Sequence, residues 1–451
     1  MLSFSRNLFA DDAELRSKLD SIVSKDTNAT LSIHVLDLNS GREIYQKNGS
    51  TLLKPASTLK ILSTITALKE LGGSFLFSTP FKITSSKQKD SFNVHVKGVG
   101  DPFLTTEFLW IAARKIKKYG VNNIDQILID DSAFVDPPVR QGQRAYMTGA
   151  SAMSFNFNSL SIEVCPGEAG EKAFVSSDPW EVPVEIISNV KTITSGEGAV
   201  EVEESAPSSK NFLTKYVVKG SINFREPCRV ISRSMTEPAK YFAYTLEAFL
   251  KYLGIKINRG FDFAAYPESE ARSFKLPTYP VAHVIKSLNH YSTNFIAEQL
   301  LYTLGADEDF KTFDRLRGLK KMEATLEAAG VERGEYSLQD GSGLSHENRV
   351  SSSTLTALLA YAYRQDALKS DFIASLPTAG VSGTMKKRTF DTSNAFIRAK
   401  TGSLDAVNTL AGYVFTKKQK QYAFAILQNN VKSKDKAWNL EEKIVDTIAN
   451  N

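Results

Sequence analysis

The chain has 451 residues, too many for one ordinary core and enough for two or three domains. Hydrophobic residues make up 42% and charged residues 23%, the balance of a globular chain rather than a disordered or fibrous one. Lys and Arg number 55 against 50 Asp and Glu, a formal net charge of +5 with no long basic block, so nothing points to nucleic acid.

Residues 1–10 (MLSFSRNLFA) contain one Arg and lack the ~7–15-residue apolar stretch of a secretory signal, which suits a start near a mature end or a cytoplasmic chain. No run approaches the ~18 apolar residues of a membrane span. Residues 12–23 place Leu15, Leu19, Ile22 and Val23 on one helical face. Residues 29–38 alternate like a strand, 39–42 turn, and 43–46 return, which is a hairpin signal. A helix follows, with Pro55 in its first turn and Leu59, Ile61, Leu62, Ile65 and Leu68 as its apolar stripe. Gly72 and Gly73 end it.

From about residue 76 to 275 short β-like runs dominate (92–96, 126–129, 160–164 and 216–218). Pro, Ser and Gly punctuate them, 195–209 reads as a loop or mobile hairpin, and 237–253 reads as a helix. Helices return at 281–288, 293–304, 310–329 and 353–363. A second hairpin, 409–416 and 421–427, turns through 417–420, and a helix over 438–449 closes the chain. The two hairpins can therefore pair into one antiparallel sheet with the first and last helices packed on it. The expected organisation is a discontinuous α/β domain, 1–75 and 276–451, carrying a β-rich insert, 76–275. Cys165 and Cys228 belong to no metal-binding spacing and are either two buried thiols or one disulfide.

A Ser-His-Asp triad finds no support: none of the five histidines lies near a G-x-S-x-G elbow, and none is present. Ser57-Thr-Leu-Lys60 is different. Positions i and i+3 share a helical face, so the Lys60 amine can reach the Ser57 hydroxyl. Lysine acts as a base only when burial or nearby positive charge lowers its pKa, and the apolar helix supplies burial. The same spacing at Ser86/Lys89 and Ser433/Lys436 lies in charged stretches where lysine stays solvated. The Ser57 backbone N–H stands where an oxyanion can be bound. Lys400-Thr-Gly-Ser403 is the second element: Lys400 can hold a carboxylate, Thr401 and Ser403 supply hydrogen bonds, and Gly402 lets a substrate strand lie close. The Ser403 N–H is a candidate second oxyanion donor. Ser292-Thr-Asn294 is the third, with Ser292 as a proton relay to the leaving amine and Asn294 as a partner of Lys60 or of a substrate amide.

In this order the three elements resemble those of the penicillin-recognising serine enzymes. The chain is similar to the penicillin-binding-protein-4 type of D-alanyl-D-alanine carboxypeptidase/endopeptidase through residues 54–60, 98–103, 289–298, 340–345, 376–384 and 398–403. The resemblance implies a multidomain α/β fold. Its β-lactamase/transpeptidase-like catalytic domain has an antiparallel sheet with helices on both faces, and the insert is a second domain (76–155 plus 225–275) with a nested third (156–224). It implies a serine DD-peptidase that cleaves D-Ala-D-Ala or D-Ala-diamino-acid bonds of peptidoglycan through a Ser57 acyl-enzyme. Lys60 is then the base, Ser292 and Asn294 shuttle protons and position substrate, and Lys400, Thr401, Gly402 and Ser403 bind the terminal carboxylate. β-Lactams acylate the same serine, no metal or cofactor is required, and the location is periplasmic. One part departs: the resemblance implies an acid from the insert that grips the diamino-acid amine, whereas residues 151–158 contain none. A β-lactamase-like hydrolase and a non-catalytic penicillin-sensing or wall-binding protein are the rival readings.

Overall fold

In the computed structural model, which describes residues 2–391 and 393–451, the two hairpins join edge to edge. Strand β1 (Thr30–Asp37) pairs with β2 (Glu43–Lys47) on one side and with the last strand of the chain on the other. The sheet is completed by β3 (Ala395–Leu404), β4 (Val407–Thr416) and β5 (Gln421–Asn429), in the order β2-β1-β5-β4-β3, with every pair antiparallel. Alternation along β1 decides which layer each side chain enters. Ile33 and Val35 join Leu15 and Leu19 of α1 (Leu2–Val23) and Ile444 and Ile448 of the final helix (Lys434–Ala449) in one core. Ser32 and His34 point the other way and meet Ser352 and Thr356 of the helix Ser352–Arg364 at 2.8 and 2.6 Å.

The helices that carry chemistry are α2 (Lys60–Leu71), α3 (Val281–Tyr291) and α4 (Asn294–Leu304), with α5 (Arg315–Ala328) packed beside α2 and α4. The helix expected over 310–329 starts at Arg315 because the Asp314 carboxylate caps it, accepting from the Leu316 N–H at 2.7 Å. Strand β3 was not legible as a strand. Its inward positions include Lys400, and a charged residue at a core position breaks the alternation. Arg398 anchors β3 by donating to the carbonyls of Ile373, Ala374 and Leu376 at 3.2, 3.1 and 2.8 Å, the C-terminal end of the helix Asp366–Ser375.

The chain divides into two units, Met1–Leu76 with Tyr279–Asp309 and Phe313–Asn451, and Phe77–Thr278 with Phe310–Thr312. The second unit has its own core. A six-stranded sheet built on Leu76–Ser85, Phe92–Lys97, Asn123–Asp130 and Arg272–Pro280 packs Phe81, Val94, Val96 and Ile127 against Leu109, Ile116 and Leu246. Strands between Ser159 and Ser234 make a three-stranded and a four-stranded sheet. The stretch expected to be β-rich also holds the helix Thr106–Lys118, whose period shows in Leu109, Ala112, Ala113 and Ile116. Cys165 and Cys228 form a disulfide, which closes the choice between thiols and a bridge. It joins the ends of two paired strands, where Val164 faces Arg229.

Candidate active site

Ser57 sits in a single tight turn, Ala56–Leu59, that runs directly into α2. The turn is held from three sides. The Pro55 carbonyl accepts from the Thr58 hydroxyl at 2.6 Å and from the Thr409 hydroxyl of β4 at 2.8 Å, and Asn429 of β5 bonds both the N–H and the carbonyl of Lys54 at 2.9 and 3.1 Å. Ala56 has φ +48°, a left-handed conformation costing a non-glycine residue about 1–2 kcal/mol. Two glycines allow this crowding. A Cβ on Gly343 would lie 1.9 Å from the Ala56 carbonyl oxygen, and one on Gly402 would lie 2.9 Å from the Ser57 nitrogen. Gly402 thus brings β3 against the Ser57 turn.

Lys60 has no exposed surface. Its Nζ donates to Ser57 Oγ at 2.8 Å, to Asn294 Oδ1 at 2.8 Å and to the Ser342 carbonyl at 2.6 Å. Burial lowers its pKa from 10.5 to about 7, against the opposing pull of the Asp340 and Glu298 carboxylates. The set of acceptors determines direction. A neutral amine has two N–H groups and one lone pair, and the two carbonyl oxygens can only accept. Both N–H groups then go to Asn294 and Ser342, and the lone pair faces the one partner with a proton to give, the Ser57 hydroxyl.

Lys400 is also fully buried. Its Nζ donates to Ser292 Oγ at 2.8 Å and to the Thr401 carbonyl at 2.8 Å. Burial lowers its pKa well below the usual value, and the nearby Lys60 charge acts in the same direction. With no surface of its own, Lys400 reaches a bound anion as a field, while half-buried Thr401 and exposed Ser403 offer the contacts. The Thr401 hydroxyl donates to Thr384 Oγ1 at 2.7 Å. Ser292 is the break between α3 and α4, at φ +58° and ψ +37°, and Asn294 is the first residue of α4. The left-handed residue turns the Ser292 hydroxyl toward Lys400 while Asn294 faces Lys60.

All eight residues singled out in the sequence thus lie in the first unit, around Ser57. Ser86/Lys89 and Ser433/Lys436 lie elsewhere: Ser86 donates to Asp125 at 2.6 Å, Ser433 caps the final helix, and Lys89 and Lys436 are exposed. His290 bonds the Lys286 and Ser375 carbonyls at 3.0 Å and Ser382 Oγ at 3.3 Å, so it braces the loop that carries Thr384. Three participants carry no direct catalytic part in the sequence reading, which gives residues 340–345 only the part of a loop that braces the cleft. The Ser342 carbonyl is a main-chain atom and has no residue-type signature. The Asp340 carboxylate organises that loop by accepting from the N–H groups of Ser342, Gly343 and Ser345 at 3.1, 2.7 and 2.6 Å, and from Asn348 at 3.0 Å. Its signal was the Asp-Gly-Ser-Gly run at 340–343. Glu298 lies one turn beyond Asn294 on α4, with its pKa pushed up to about 7 by burial and by Asp340.

A family profile described as the D-Ala-D-Ala carboxypeptidase 3 (S13) family matches residues 15–451. A D-alanyl-D-alanine carboxypeptidase of Actinomadura sp. (strain R39) is 27% identical over 443 residues, covering 92% of this chain and 81% of that protein. The crystal structure of penicillin-binding protein 4 from Haemophilus influenzae superposes with a TM-score of 0.77 at 24% identity, covering 97% of this chain and 98% of that one. A second structure of that protein, complexed with a β-lactam, gives 0.72 at 24% identity and 98% of both chains. A predatory peptidoglycan endopeptidase of Bdellovibrio bacteriovorus gives 0.56 at 16% identity, covering 94% and 93%.

Proposed function

The chain belongs to the D-Ala-D-Ala carboxypeptidase 3 (S13) family, and from that premise we propose that it acts as a serine DD-peptidase through the three residue groups gathered at Ser57. Ser57 Oγ attacks the carbonyl of the penultimate D-Ala of a peptidoglycan stem peptide. Its proton passes to the Lys60 lone pair, and the tetrahedral oxyanion takes the N–H groups of Ser57 and Ser403. The Ser292 hydroxyl gives its proton to the departing amine and is resupplied by Lys400, to which it is hydrogen-bonded. Water then releases the acyl group from Ser57 Oγ by the same route in reverse. The observation that carries this reading is the Lys60 hydrogen-bond set, because a sealed lysine with two obligate acceptors and one hydroxyl partner is built as a base toward that hydroxyl.

Strand β3 is the edge of its sheet; residues 377–379 pair with it at 397–399, and beyond them an extended peptide can lie along its 401–404 end as a further strand. A terminal carboxylate then meets Thr401 and Ser403 in the field of Lys400. A β-lactam has the same reactive carbonyl and acylates Ser57. The terminal D-Ala-D-Ala bond and the D-Ala-diamino-acid cross-link are the substrates, and the periplasmic side of the cell wall is the place. No described helix is long and apolar enough to cross a membrane.

The test is digestion of isolated peptidoglycan with mass analysis of the products, run beside labelling with a fluorescent penicillin. Free D-Ala or split cross-linked dimers, with a stable adduct on the Ser57 peptide, are expected. Rapid turnover to free penicilloate would identify a β-lactamase, and inertness toward wall and penicillin alike would leave a binding module.

A further inference from the structure

The reaction places a positive charge on Lys60, and among the described residues its hydrogen-bond partners include no carboxylate. Something must hold that charge in a buried site. Glu298 and Asp340 are the two carboxylates whose charges act on Lys60, and they differ in how they are used. Asp340 is committed to four hydrogen-bond donors of its own loop. Glu298 lies on the face of α4 that carries Asn294, four residues earlier, and it is hydrogen-bonded to the Ser342 side chain. Its Oε1 is shut from solvent and takes no hydrogen bond from the described residues. A buried carboxylate oxygen left unpaired costs about 1–3 kcal/mol, so its presence calls for a use.

We infer that Glu298 is a positioning residue for acylation: lying behind the Ser342 residue whose carbonyl Lys60 touches, its carboxylate supplies the counter-charge for the Lys60 ammonium formed as Ser57 is deprotonated. This rests on the proposed role of Ser57 and Lys60. The atoms balance simply. The Ser57 Oγ–H bond breaks, the proton joins Lys60 Nζ, the Oγ–C bond forms, and the carbonyl electrons move to the oxyanion. Glu298 makes no bond to substrate. It acts through charge and through the Ser342 side chain, on the loop whose carbonyl orients Lys60. The charged groups that bear on Glu298 are Lys60 from α2, Asp340 from its loop and Arg315 from the start of α5, and the Lys60 charge acts in turn on Lys400 of β3.

The sign follows. A Glu298 anion raises the Lys60 pKa, and Asp340 does the same. Glu298 itself titrates at about 7, and the Lys60 ammonium draws out its charge; removing that charge lowers the pH at which Lys60 becomes a free base, and it removes stabilisation of the ammonium in the transition state. Penicillin acylation of the full-length chain should be followed by stopped flow from pH 5 to 9 for wild type, Glu298→Gln, Glu298→Asp and Ser342→Ala. In Glu298→Gln the acid limb moves down by about one pH unit, and the plateau rate falls about tenfold or more. Glu298→Asp keeps the limb at its wild-type position. Ser342→Ala, which keeps the carbonyl and removes the side-chain hydrogen bond that favours the Glu298 anion, moves the limb in the Gln direction by less. A limb that stays in place in Glu298→Gln, with a rate lowered equally at every pH, makes Glu298 merely a packing residue and overturns the inference. If Glu298→Gln does not fold, Ser342→Ala decides on the same criterion. A wild type that never acylates sinks both this inference and the proposed function, whereas a wild type that acylates with unmoved limbs sinks this inference alone.

Discussion

Both units bury carboxyl groups, and they do different things with them. In the second unit Asp101 is pushed up to about 7 and Asp131 to about 6, each chiefly by burial. In the first unit Glu298 is pushed up to about 7 for the same leading reason. Asp101 spends its oxygens on the Phe103 N–H and the Thr278 hydroxyl at 2.8–2.9 Å, and Asp131 accepts from the Met153 N–H. These are fasteners between chain segments. Glu298 keeps one oxygen unpaired and stands where Lys60 changes charge. A perturbed pKa therefore marks burial in both places, and chemistry only where a nucleophile shares the site.

The largest effect that tests this contrast is at the nucleophile. Ser57→Ala and Lys60→Ala should each lower D-Ala release and penicillin acylation by at least ~10⁴-fold, as expected for members of one catalytic unit. Labelling that persists in Ser57→Ala would move the nucleophile elsewhere. Next come the glycines. Gly343→Ala forces a methyl group against the Ala56 carbonyl, and Gly402→Ala forces one against the Ser57 nitrogen. Displacement of the nucleophile by a fraction of an ångström to about 1 Å should cost about 10²-fold in acylation rate, measured beside the melting temperature. For the wild type, acylation should fall as the pH drops below about 7, because Lys60 is then protonated and has no lone pair for Ser57.

The second unit should respond in stability and not in rate. Removing the bridge with Cys165→Ser and Cys228→Ser should lower unfolding stability by about 2–4 kcal/mol, with acylation of Ser57 unchanged. A changed rate would make the insert part of the acylation machinery. A second test of stability is at Asp101. Its folded pKa lies above the unfolded value, so the unfolded state loses its proton first as the pH rises. Its contribution to stability then declines from about pH 4 to about 7. Asp101→Asn should flatten that decline, so its melting temperature should gain on wild type at pH 7.5 and not at pH 4.5. An equal difference at both values would show that Asp101 is ionised in the folded protein.

Much of the site is legible in the residues themselves. The i, i+3 spacing of Ser57 and Lys60 and the apolar positions around them mark a buried lysine beside a hydroxyl, while the charged surroundings of Ser86/Lys89 and Ser433/Lys436 discount those pairs. The strand that carries Lys400 is hidden by the feature that makes it useful. A lysine at an inward position spoils the strand alternation, so only the residues Lys-Thr-Gly-Ser stand out. Helix ends shift by a few residues where a cap outweighs the apolar period, as Asp314 does at the start of α5.

What the sequence by itself determined is the chemistry at hand: which hydroxyl, which amine and which hydrogen-bonding groups are available, and in what order along the chain. Residue type and short spacing carry that information because a helix turn translates them directly into neighbours. What only the tertiary structure decided is how the proton is directed. The Ser342 carbonyl is a main-chain oxygen common to every residue. The left-handed turns at Ala56 and Ser292 are held by contacts from distant segments. The pairing of Glu298 with Lys60 brings together groups 238 residues apart (298 − 60). Such groups become neighbours only when α2, α4 and the Asp340 loop pack together, because the free energy that places them is spread over the whole core and belongs to no local pattern.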